Sequence, residues 1–476
     1  MAYLEIFLIQ IILLILFLVL LAPKNRQLLP WNWPFVRVMP TMYLKSHEIY
    51  DKITEILAEN KSTVLFKTSW FTKTDILVTS DPANAHHVMS SNFSIYQRGS
   101  EFRNVFDFLG QAVFSKDLEE WREEKKFTHA FFRENQYHES VPKIVHQTLE
   151  KALIPVLDHT SQQNQELDLQ SLFNRFMLDA TCLLAAGFDA GSLRVGFPEC
   201  PLLDAMDDIA EAVFYRHILP ERVWKLQRWL RVGKEKKMAE ASNTFNRILS
   251  DNVSKKKHEL ATDDQETGDG TFDVLKFYLK EAAINTGNKG AQKHDDKGFL
   301  AANLMTLLFA GRDTSAALLT CALCESLRLF PPGPFLLRVP NEQDVLPSGH
   351  KVDQTTKVML CSYAMGRTRE IWGDDCGEFR PERWIMEKGG TKHVASNIFL
   401  AFSSGPWTCP GRELAFTRMK AVAATVVHNY RVHVVEGQTV CPSISAILTM
   451  KHGLKATVST DGCRSSIYLL YSIFSP

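Results

Sequence analysis

The chain of 476 residues has no net charge, because 54 Lys and Arg residues balance 54 Asp and Glu residues. A protein without a basic excess lacks the field that gathers nucleic acid at its surface, so the sequence predicts no nucleic-acid partner. Internal repeats are also absent, and the nine cysteines are scattered and odd in number. This spacing does not form a disulfide framework and indicates a reducing compartment.

One pair of cysteines, Cys321 and Cys324, has the CxxC spacing of many zinc sites. A structural zinc site needs four ligands, and no second pair of this spacing completes the set. The surroundings do not resemble those of a redox-active CxxC motif either. The sequence therefore predicts two ordinary helix cysteines here.

A long apolar run lies at the amino end of the chain. It extends from Ile6 to Ala22, is interrupted only by Gln10, and is followed by Lys24 and Arg26. The alternative is a cleaved signal peptide, but the positive charges follow the run instead of preceding it. The run therefore predicts a single-pass membrane anchor with the remaining chain in the cytosol.

The rest of the chain predicts one large, mainly α domain with small β-sheets. Apolar residues recur at helical spacing over much of residues 81–329, as in 167–186 and 222–249, and the lysines 255–257 suggest a solvated helix face. Short β-type runs at 64–66 and 76–78 suggest a hairpin, and Val339, Val352 and Val358 lie in β-type surroundings. The predicted segments are an anchor (1–22), a proline-rich hinge (23–45), the domain (46–460) and an atypical tail (461–476).

The strongest chemical signal is the stretch 402–412, which reads Phe-Ser-Ser-Gly-Pro-Trp-Thr-Cys-Pro-Gly-Arg before a helix-forming run at 413–424. Cys409 stands where a helix dipole and unpaired N–H groups stabilise a thiolate. Gly405 and Gly411 allow a sharp turn and a close approach to a flat cofactor. The whole pattern predicts a thiolate ligand instead of a structural cysteine.

This stretch resembles the cysteine loop of the cytochrome P450 family, the haem-thiolate monooxygenases. The resemblance covers nearly all of residues 31–458 and implies the cytochrome P450 fold, haem b, and Cys409 as the iron ligand, with Phe402, Gly405 and Gly411 beside it. It further implies electrons from NADPH through cytochrome P450 reductase. The family's anchor in the endoplasmic reticulum membrane matches residues 6–22.

Three further motifs follow in the family's order. The stretch Ala310-Gly-Arg-Asp-Thr-Ser315 lies in a predicted helix from about Lys297 to Thr320, and the resemblance makes Asp313 and Thr314 the proton relay. Taken alone, Asp-Thr in a helix is weak evidence, since it can also be an exposed Asp and a Thr bonded back to the helix. The resemblance assigns the remaining roles to these residues: a structural charge network of Glu325, Arg328 and Arg383, and propionate contacts from Trp121, Lys125 and Arg338.

Several stretches resemble the plant branch that hydroxylates long-chain fatty acids and alkanes, most closely the mid-chain alkane hydroxylases; they include 92–109, 214–217, 345–352 and 372–375. The implied substrate is a hydrophobic lipid, such as a very-long-chain alkane of cuticular wax or a fatty acid. A haem-dependent rearrangement is an alternative reaction, although Asp313 and Thr314 argue against it.

Two positions depart from the family's pattern. Trp407 replaces the arginine that pairs with a haem propionate, so we expect weaker haem binding that depends more on Lys125 and Arg338. Thr314 and Glu325 are 11 residues apart, where the family has a further helix, so a helix is missing between Thr320 and Cys321. One uninterrupted helix would separate these two residues by about 16 Å along its axis. A non-catalytic splice or gene-model variant is therefore a further hypothesis.

Overall fold

The computed structural model describes residues 48–67, 74–110, 112–261, 272–284, 297–313, 320–386, 392–443 and 445–460. The predicted anchor (1–22), the predicted hinge (23–45) and the predicted tail (461–476) lie outside this part of the chain. Within the described residues, no helix is both long and apolar enough to span a membrane. The division into anchor, hinge, domain and tail stays a prediction.

Helices dominate the described chain, as the periodicity predicts. In chain order they are α1 (Ile49–Glu59), α2 (Pro82–His86), α3 (Gly99–Val105), α4 (Leu118–Thr128), α5 (Asn135–Thr148), α6 (Ile154–Gln163), α7 (Leu169–Ala186), α8 (Pro201–Ile218), α9 (Glu221–Leu230), α10 (Gly233–Ala261), α11 (Val274–Ile284), α12 (Lys297–Asp313), α13 (Thr320–Leu329), α14 (Ser362–Met365), α15 (Arg369–Trp372) and α16 (Arg412–Asn429).

Ten short strands form three small sheets. They are β1 (Thr63–Phe66), β2 (Asp75–Thr79), β3 (Tyr96–Gln97), β4 (Glu166–Asp168), β5 (Phe335–Pro340), β6 (Asp344–Val345), β7 (Lys351–Val352), β8 (Thr356–Cys361), β9 (Tyr430–Val434) and β10 (Lys455–Thr460). The strand orders are β1-β2-β8-β5-β3, β4-β10-β9 and β6-β7. The antiparallel pairing of β1 with β2 and the strands around Val339, Val352 and Val358 are as predicted.

The largest apolar cluster forms the core between the helices. It joins buried residues of α5 to α8 with those of α10, α11, α12 and α16, and long apolar faces of these helices pack together inside it. Burial of this kind, at about 25 cal/mol per Å² of apolar surface, is the main stabilising contribution to such a core. Helices α12 and α16 both contribute buried residues to this core, and both line the same cavity.

Two sequence-based expectations need correction. The stretch 222–249 is not one helix, because Arg231 has a left-handed backbone (φ 53°) that ends α9 before α10 begins at Gly233. The predicted solvated lysine face is wrong for Lys256, which is partly buried because it pairs with Asp273 at 3.2 Å. The helix expected from Lys297 to about Thr320 is described as far as Asp313, so its predicted end stays a prediction.

Candidate functional site: a cysteine beside a cation-rimmed cavity

The backbone of the cysteine loop, residues 402–412, has a conformation that requires glycine at position 405. The Cys409 N–H donates to the Phe402 carbonyl at 2.9 Å, and the Thr408 N–H donates to the Gly405 carbonyl at 3.0 Å. Gly405 has φ +60°, and a Cβ there would lie 2.1 Å from the Met89 carbonyl oxygen. A side chain at this position is therefore excluded, which explains the glycine. Helix α16 begins at Arg412, so Cys409 lies just before its amino end.

Cys409 faces a cavity of about 340 Å³. Its side chain is accessible from this cavity, although protein surrounds it on the other sides. Burial raises the pKa of the Cys409 thiol, and the Gly411 N–H only partly offsets this by stabilising the thiolate. The sequence suggested a thiolate stabilised by the helix end alone. In the structure, burial opposes that effect, and a cationic ligand such as a metal ion would favour the thiolate.

One face of α12 forms the wall opposite the cysteine loop. Asn303, Thr306, Leu307, Ala310 and Gly311 line the cavity at the three- to four-residue spacing of a helix face. Gly311 is required for packing, because a Cβ there would lie 2.8 Å from the side chain of Thr181 on α7.

Only part of the predicted relay lies within the described chain. Asp313 is the last described residue of α12, and its side chain is not described, while Thr314 lies outside the described residues. The preceding Arg312 is buried and pairs with Asp207 of α8 at 2.6 Å.

Tryptophans and cations form one edge of the cavity. Trp121 of α4 and Trp407 pack with ring centroids 4.3 Å apart, and Lys125 lies over the Trp121 ring at 4.6 Å. Lys125 also donates to the Pro406 carbonyl at 2.9 Å. Burial lowers the pKa of Lys125, so its charge is costly in the absence of an anion.

Two buried arginines lie over Trp407. The guanidinium carbons of Arg98 and Arg338 are 4.8 Å and 4.9 Å from the Trp407 ring. Burial lowers the pKa of Arg98 to about 9, and the positive charge of Arg338 contributes. Burial likewise lowers the pKa of Arg338 to about 10. Arginine keeps its proton in proteins. The lowered pKa values of Arg98 and Arg338 therefore mean that holding these two cations close together away from water costs free energy.

Acceptors are scarce at this edge. Within the described chain, Arg338 Nε and Trp407 Nε1 are buried and have no hydrogen-bond partner. Asp117 is the nearby carboxylate, but it accepts from the backbone N–H groups of Arg98 and Gly99 and pairs with Arg103 at 2.5 Å. The edge therefore has an excess of positive charge and unused donors, which suits a ligand with carboxylates.

The predicted charge network lies in the interior and is fully paired. Arg328 donates to both Glu325 oxygens at 2.7 Å and 2.8 Å, and Arg383 Nε donates to Glu325 at 3.3 Å. Trp384 Nε1 and the Arg380 N–H also donate to Glu325, each at 2.9 Å. Burial opposes the charge of Glu325, but the hydrogen bonds from Arg328, Arg380 and Trp384 leave its pKa below the usual value.

Sequence reasoning missed two buried cations that line the cavity, Arg98 and Arg418. Arg418 lies on α16, 1% exposed, and donates to Thr181 Oγ1 at 2.8 Å and to the Ala180 carbonyl at 3.2 Å. A charged residue among the apolar residues Ala415, Phe416 and Met419 was an available signal for Arg418. Arg98 has no such signal, because its surroundings come from distant parts of the chain.

The residues present fit a haem. The cavity is mainly apolar, Cys409 faces it, and cations with unused donors lie at one edge, matching a flat apolar ring with carboxylates. Cys409 would supply a thiolate ligand to the iron, and Lys125, Arg98 and Arg338 would be the available partners for the carboxylates. The sequence predicts that this edge depends more on Lys125 and Arg338 because Trp407 replaces an arginine, and the structure adds Arg98 to these two cations.

Comparison with known proteins leads to the same class. The cytochrome P450 family model matches residues 23–325 and 317–458. The alkane hydroxylase MAH1 of Arabidopsis thaliana is 38% identical, with 92% of this chain and 94% of that protein covered. A noroxomaritidine synthase of Narcissus aff. pseudonarcissus MK-2014 is 33% identical, with 95% of this chain and 95% of that protein covered. Cytochrome P450 86B1 of Arabidopsis thaliana is 30% identical, with 91% of this chain and 86% of that protein covered.

The chain belongs to the cytochrome P450 family and is a haem-thiolate monooxygenase. Its two matches to the family model meet at residues 317–325, which include the join where the sequence predicts a missing helix. The alignment with the noroxomaritidine synthase runs over 505 positions, more than the 476 residues of this chain. Some positions of that relative therefore have no counterpart here.

Proposed function

We propose that this monooxygenase hydroxylates a C–H bond of a long-chain aliphatic lipid, a very-long-chain alkane or a fatty acid. The observation that carries the proposal is the position of Cys409 beside a mainly apolar cavity with cations at one edge. The similarity to an alkane hydroxylase over 92% of the chain supports the aliphatic substrate. An apolar lining favours an apolar substrate because no desolvated polar group opposes its entry.

The residues of the cavity have distinct proposed roles. When bound, haem supplies dioxygen activation at an iron whose thiolate ligand favours O–O cleavage. Cys409 holds the iron, with Phe402 at the loop and Gly405 and Gly411 allowing the close approach. Trp121, Lys125 and Arg338 hold the carboxylate edge, and the burial of Trp121 and Arg338 with the partial burial of Lys125 supports this role.

Proton supply is the proposed role of Asp313 and Thr314. In the sequence, residue 314 continues the spacing of Asn303, Leu307 and Ala310, which line the cavity. Asp313 follows Arg312, whose pairing with Asp207 attaches the end of α12 to α8. A short carboxylate and a hydroxyl at adjacent positions suit the transfer of a proton toward the reacting centre.

Glu325, Arg328 and Arg383 have a proposed structural role. Their network attaches α13 to the loop 366–384 through bonds from Arg328 to the Cys376 and Glu378 carbonyls at 2.6 Å and 2.9 Å. Because the charges of this network pair with each other, it has no unpaired charge with which to bind a ligand. It secures the core next to the cysteine loop.

We further propose electron delivery from NADPH through cytochrome P450 reductase, and a single-pass anchor of residues 1–22 in the endoplasmic reticulum membrane with the domain in the cytosol. One surface of the described chain supports membrane proximity. Helix α9 exposes Leu226, Trp229 and Leu230, with Trp229 at 78%, and carries Arg222 and Lys225 beside them. Exposed apolar residues flanked by basic ones favour a lipid interface.

A second candidate function is a non-catalytic product of the same gene family. The observation that favours it is the join near Thr320 and Cys321, where the two family matches meet. If a helix between the oxygen-side helix and the Glu325 helix is missing, the chain must rebuild this connection. Sequencing the locus and its transcripts decides whether the helix is encoded.

The carbon monoxide difference spectrum of the reduced, full-length protein tests the haem site directly. We expect a thiolate-type Soret band in well-folded protein, and its absence would exclude both hydroxylation and rearrangement. If the band is present, incubation with an alkane or a fatty acid, NADPH and reductase distinguishes the two reactions. A product that forms without NADPH would favour the rearrangement.

A further inference from the structure

A buried arginine lies at the junction of three long helices that line the cavity. Arg418 of α16 lines the same cavity as Cys409 and is 1% exposed. Its Nη1 donates to Thr181 Oγ1 at 2.8 Å and its Nη2 donates to the Ala180 carbonyl at 3.2 Å, both on α7. The Thr181 side chain packs closely against Gly311 of α12. The guanidinium of Arg418 therefore has a fixed place between α7, α12 and α16.

The positive charge of Arg418 has no counter-charge within the described chain. Its two acceptors are a hydroxyl and a carbonyl, both neutral, and its buried Nε has no hydrogen-bond partner. The titratable groups that interact with it are the Tyr137 hydroxyl of α5 and the Cys182 thiol of α7. Burial raises the pKa of both groups, so neither is negative at neutral pH. Burial also lowers the pKa of Arg418 to about 10, but arginine keeps its proton.

The cations at the Trp407 edge do not share this situation. Arg98 and Arg338 lie over the Trp407 ring, and Lys125 donates to the neighbouring Pro406 carbonyl. These three cations are sufficient for the two carboxylates of a haem. Arg418 is attached to α7 and not to this edge. Its charge is therefore available for another part of the bound group.

The part that changes its charge during the reaction is the iron with its thiolate. A ferric iron, a dianionic porphyrin ring and one thiolate have no net charge together, and one added electron makes them negative. Cys409 lies just before the start of α16 at Arg412, and Arg418 lies about 9 Å further along the helix axis. At a separation on the order of 10 Å, in the effective dielectric of a protein site, one unit charge changes a one-electron equilibrium about tenfold.

We propose that Arg418 favours reduction of the haem iron, because its uncompensated buried charge stabilises the form of the haem-thiolate group that has gained one electron. The iron gains this electron and the reductase loses it, while no bond or proton of Arg418 changes. The inference depends on the haem-thiolate class of the protein and holds for any substrate.

The test compares Arg418→Gln with Lys420→Gln in the full-length haem protein. Each variant removes one positive charge from α16, but Lys420 is partly exposed and lies outside the cavity lining, so water screens its charge. Titration with redox indicator dyes, followed by the haem absorbance, measures the midpoint potential without reductase or substrate. We expect Arg418→Gln to lower the equilibrium constant for reduction about tenfold, which is about 59 mV for one electron. Lys420→Gln should change it less than about twofold.

Arg418→Lys provides a test within one variant. Burial lowers the pKa of a lysine amine, so the introduced charge can be removed by raising the pH. At low pH the midpoint potential of this variant should equal that of the parent. As the pH rises through the pKa of the amine, the potential should fall below the parent's, because the neutral amine no longer stabilises the reduced form. A purely structural role of Arg418 predicts no such difference.

Unfolding of the haem-free protein by denaturant gives a second measurement. Arg418→Gln removes a buried cation without a counter-charge, so this variant should be as stable as the parent or more stable. A clear loss of stability would show that the protein itself compensates the charge, and it would overturn the proposal. An unchanged potential in Arg418→Gln, or an equal shift in Lys420→Gln, would overturn it as well. A missing carbon monoxide band in the parent would instead overturn the haem site.

Discussion

Two buried charged clusters lie on either side of the cysteine loop, and they differ in how their charges are compensated. Around Glu325, the arginines Arg328 and Arg383 donate hydrogen bonds to carboxylate and carbonyl oxygens of the protein. Around Trp407, the cations Arg98, Lys125 and Arg338 donate to backbone carbonyls, which carry no full negative charge. Among the described residues, Arg338 Nε and Trp407 Nε1 have no hydrogen-bond partner. A neutralised cluster stabilises the fold, whereas a cluster with excess charge is prepared for a ligand that brings the missing charge.

The largest effect is expected at the sulfur between the two clusters. Cys409→Ala removes the only side chain of the loop that can ligate iron through a thiolate, so the thiolate-type Soret band and all hydroxylase activity should be lost. Unfolding of the haem-free protein should be nearly unchanged, as measured by circular dichroism. Cys441→Ala is the control, since Cys441 lies outside the cavity lining. A retained band in Cys409→Ala would show that another side chain binds the metal.

The next effect concerns the neutralised cluster. Glu325→Gln leaves Arg328 buried without its counter-charge, and we expect a loss of about 3–5 kcal/mol in the free energy of unfolding. Denaturant titration of the haem-free protein measures it. Glu382→Gln, at an exposed position two residues from Trp384, is the control and should lie within about 0.5 kcal/mol of the parent. Equal stabilities of the two variants would contradict a structural role for this network.

A smaller effect is expected at the cation-rich cluster around Trp407. One substitution there should destabilise the haem-free protein but strengthen the retention of haem. Trp407→Arg adds a charge between Arg98 and Arg338, so the haem-free protein should become less stable. Haem should be retained more tightly, by about tenfold or more, because one charge-assisted hydrogen bond contributes about 1.5–3 kcal/mol. Haem transfer to an acceptor protein measures retention, and Trp407→Phe controls for the ring packing. Equal shifts in both states would show that this edge holds no anionic ligand.

The smallest effect is a pH dependence of the neutralised cluster. The pKa of Glu325 is lowered in the folded protein, so the unfolded chain binds its proton first as the pH falls. The stability from this carboxylate is therefore complete above its ordinary pKa of 4.5 and is lost as the pH falls through the lower folded value. The difference in unfolding free energy between parent and Glu325→Gln should shrink below pH 4.5. A constant difference down to the acid transition would contradict the pairing.

Contiguous sequence determined the cysteine loop, the mainly helical class and the hairpin of β1 and β2, because each depends on residues close together in the chain. The charge network of Glu325 and Arg328 was also visible, since residues three apart lie on one helix face. The break of the stretch 222–249 at Arg231 was not visible in the sequence, because a left-handed backbone at a non-glycine residue has no strong local signal.

Only the tertiary structure decided which charges meet. Arg98 and Arg338 are 240 positions apart in the sequence, yet both lie over Trp407, and Asp107 pairs with Arg216 and Arg228 across 109 and 121 positions. Sequence patterns report the preference of each segment for a helix, a strand or a loop, but the excess or balance of charge in a buried cluster depends on all the segments that pack there. That balance distinguishes the ligand edge from the structural network.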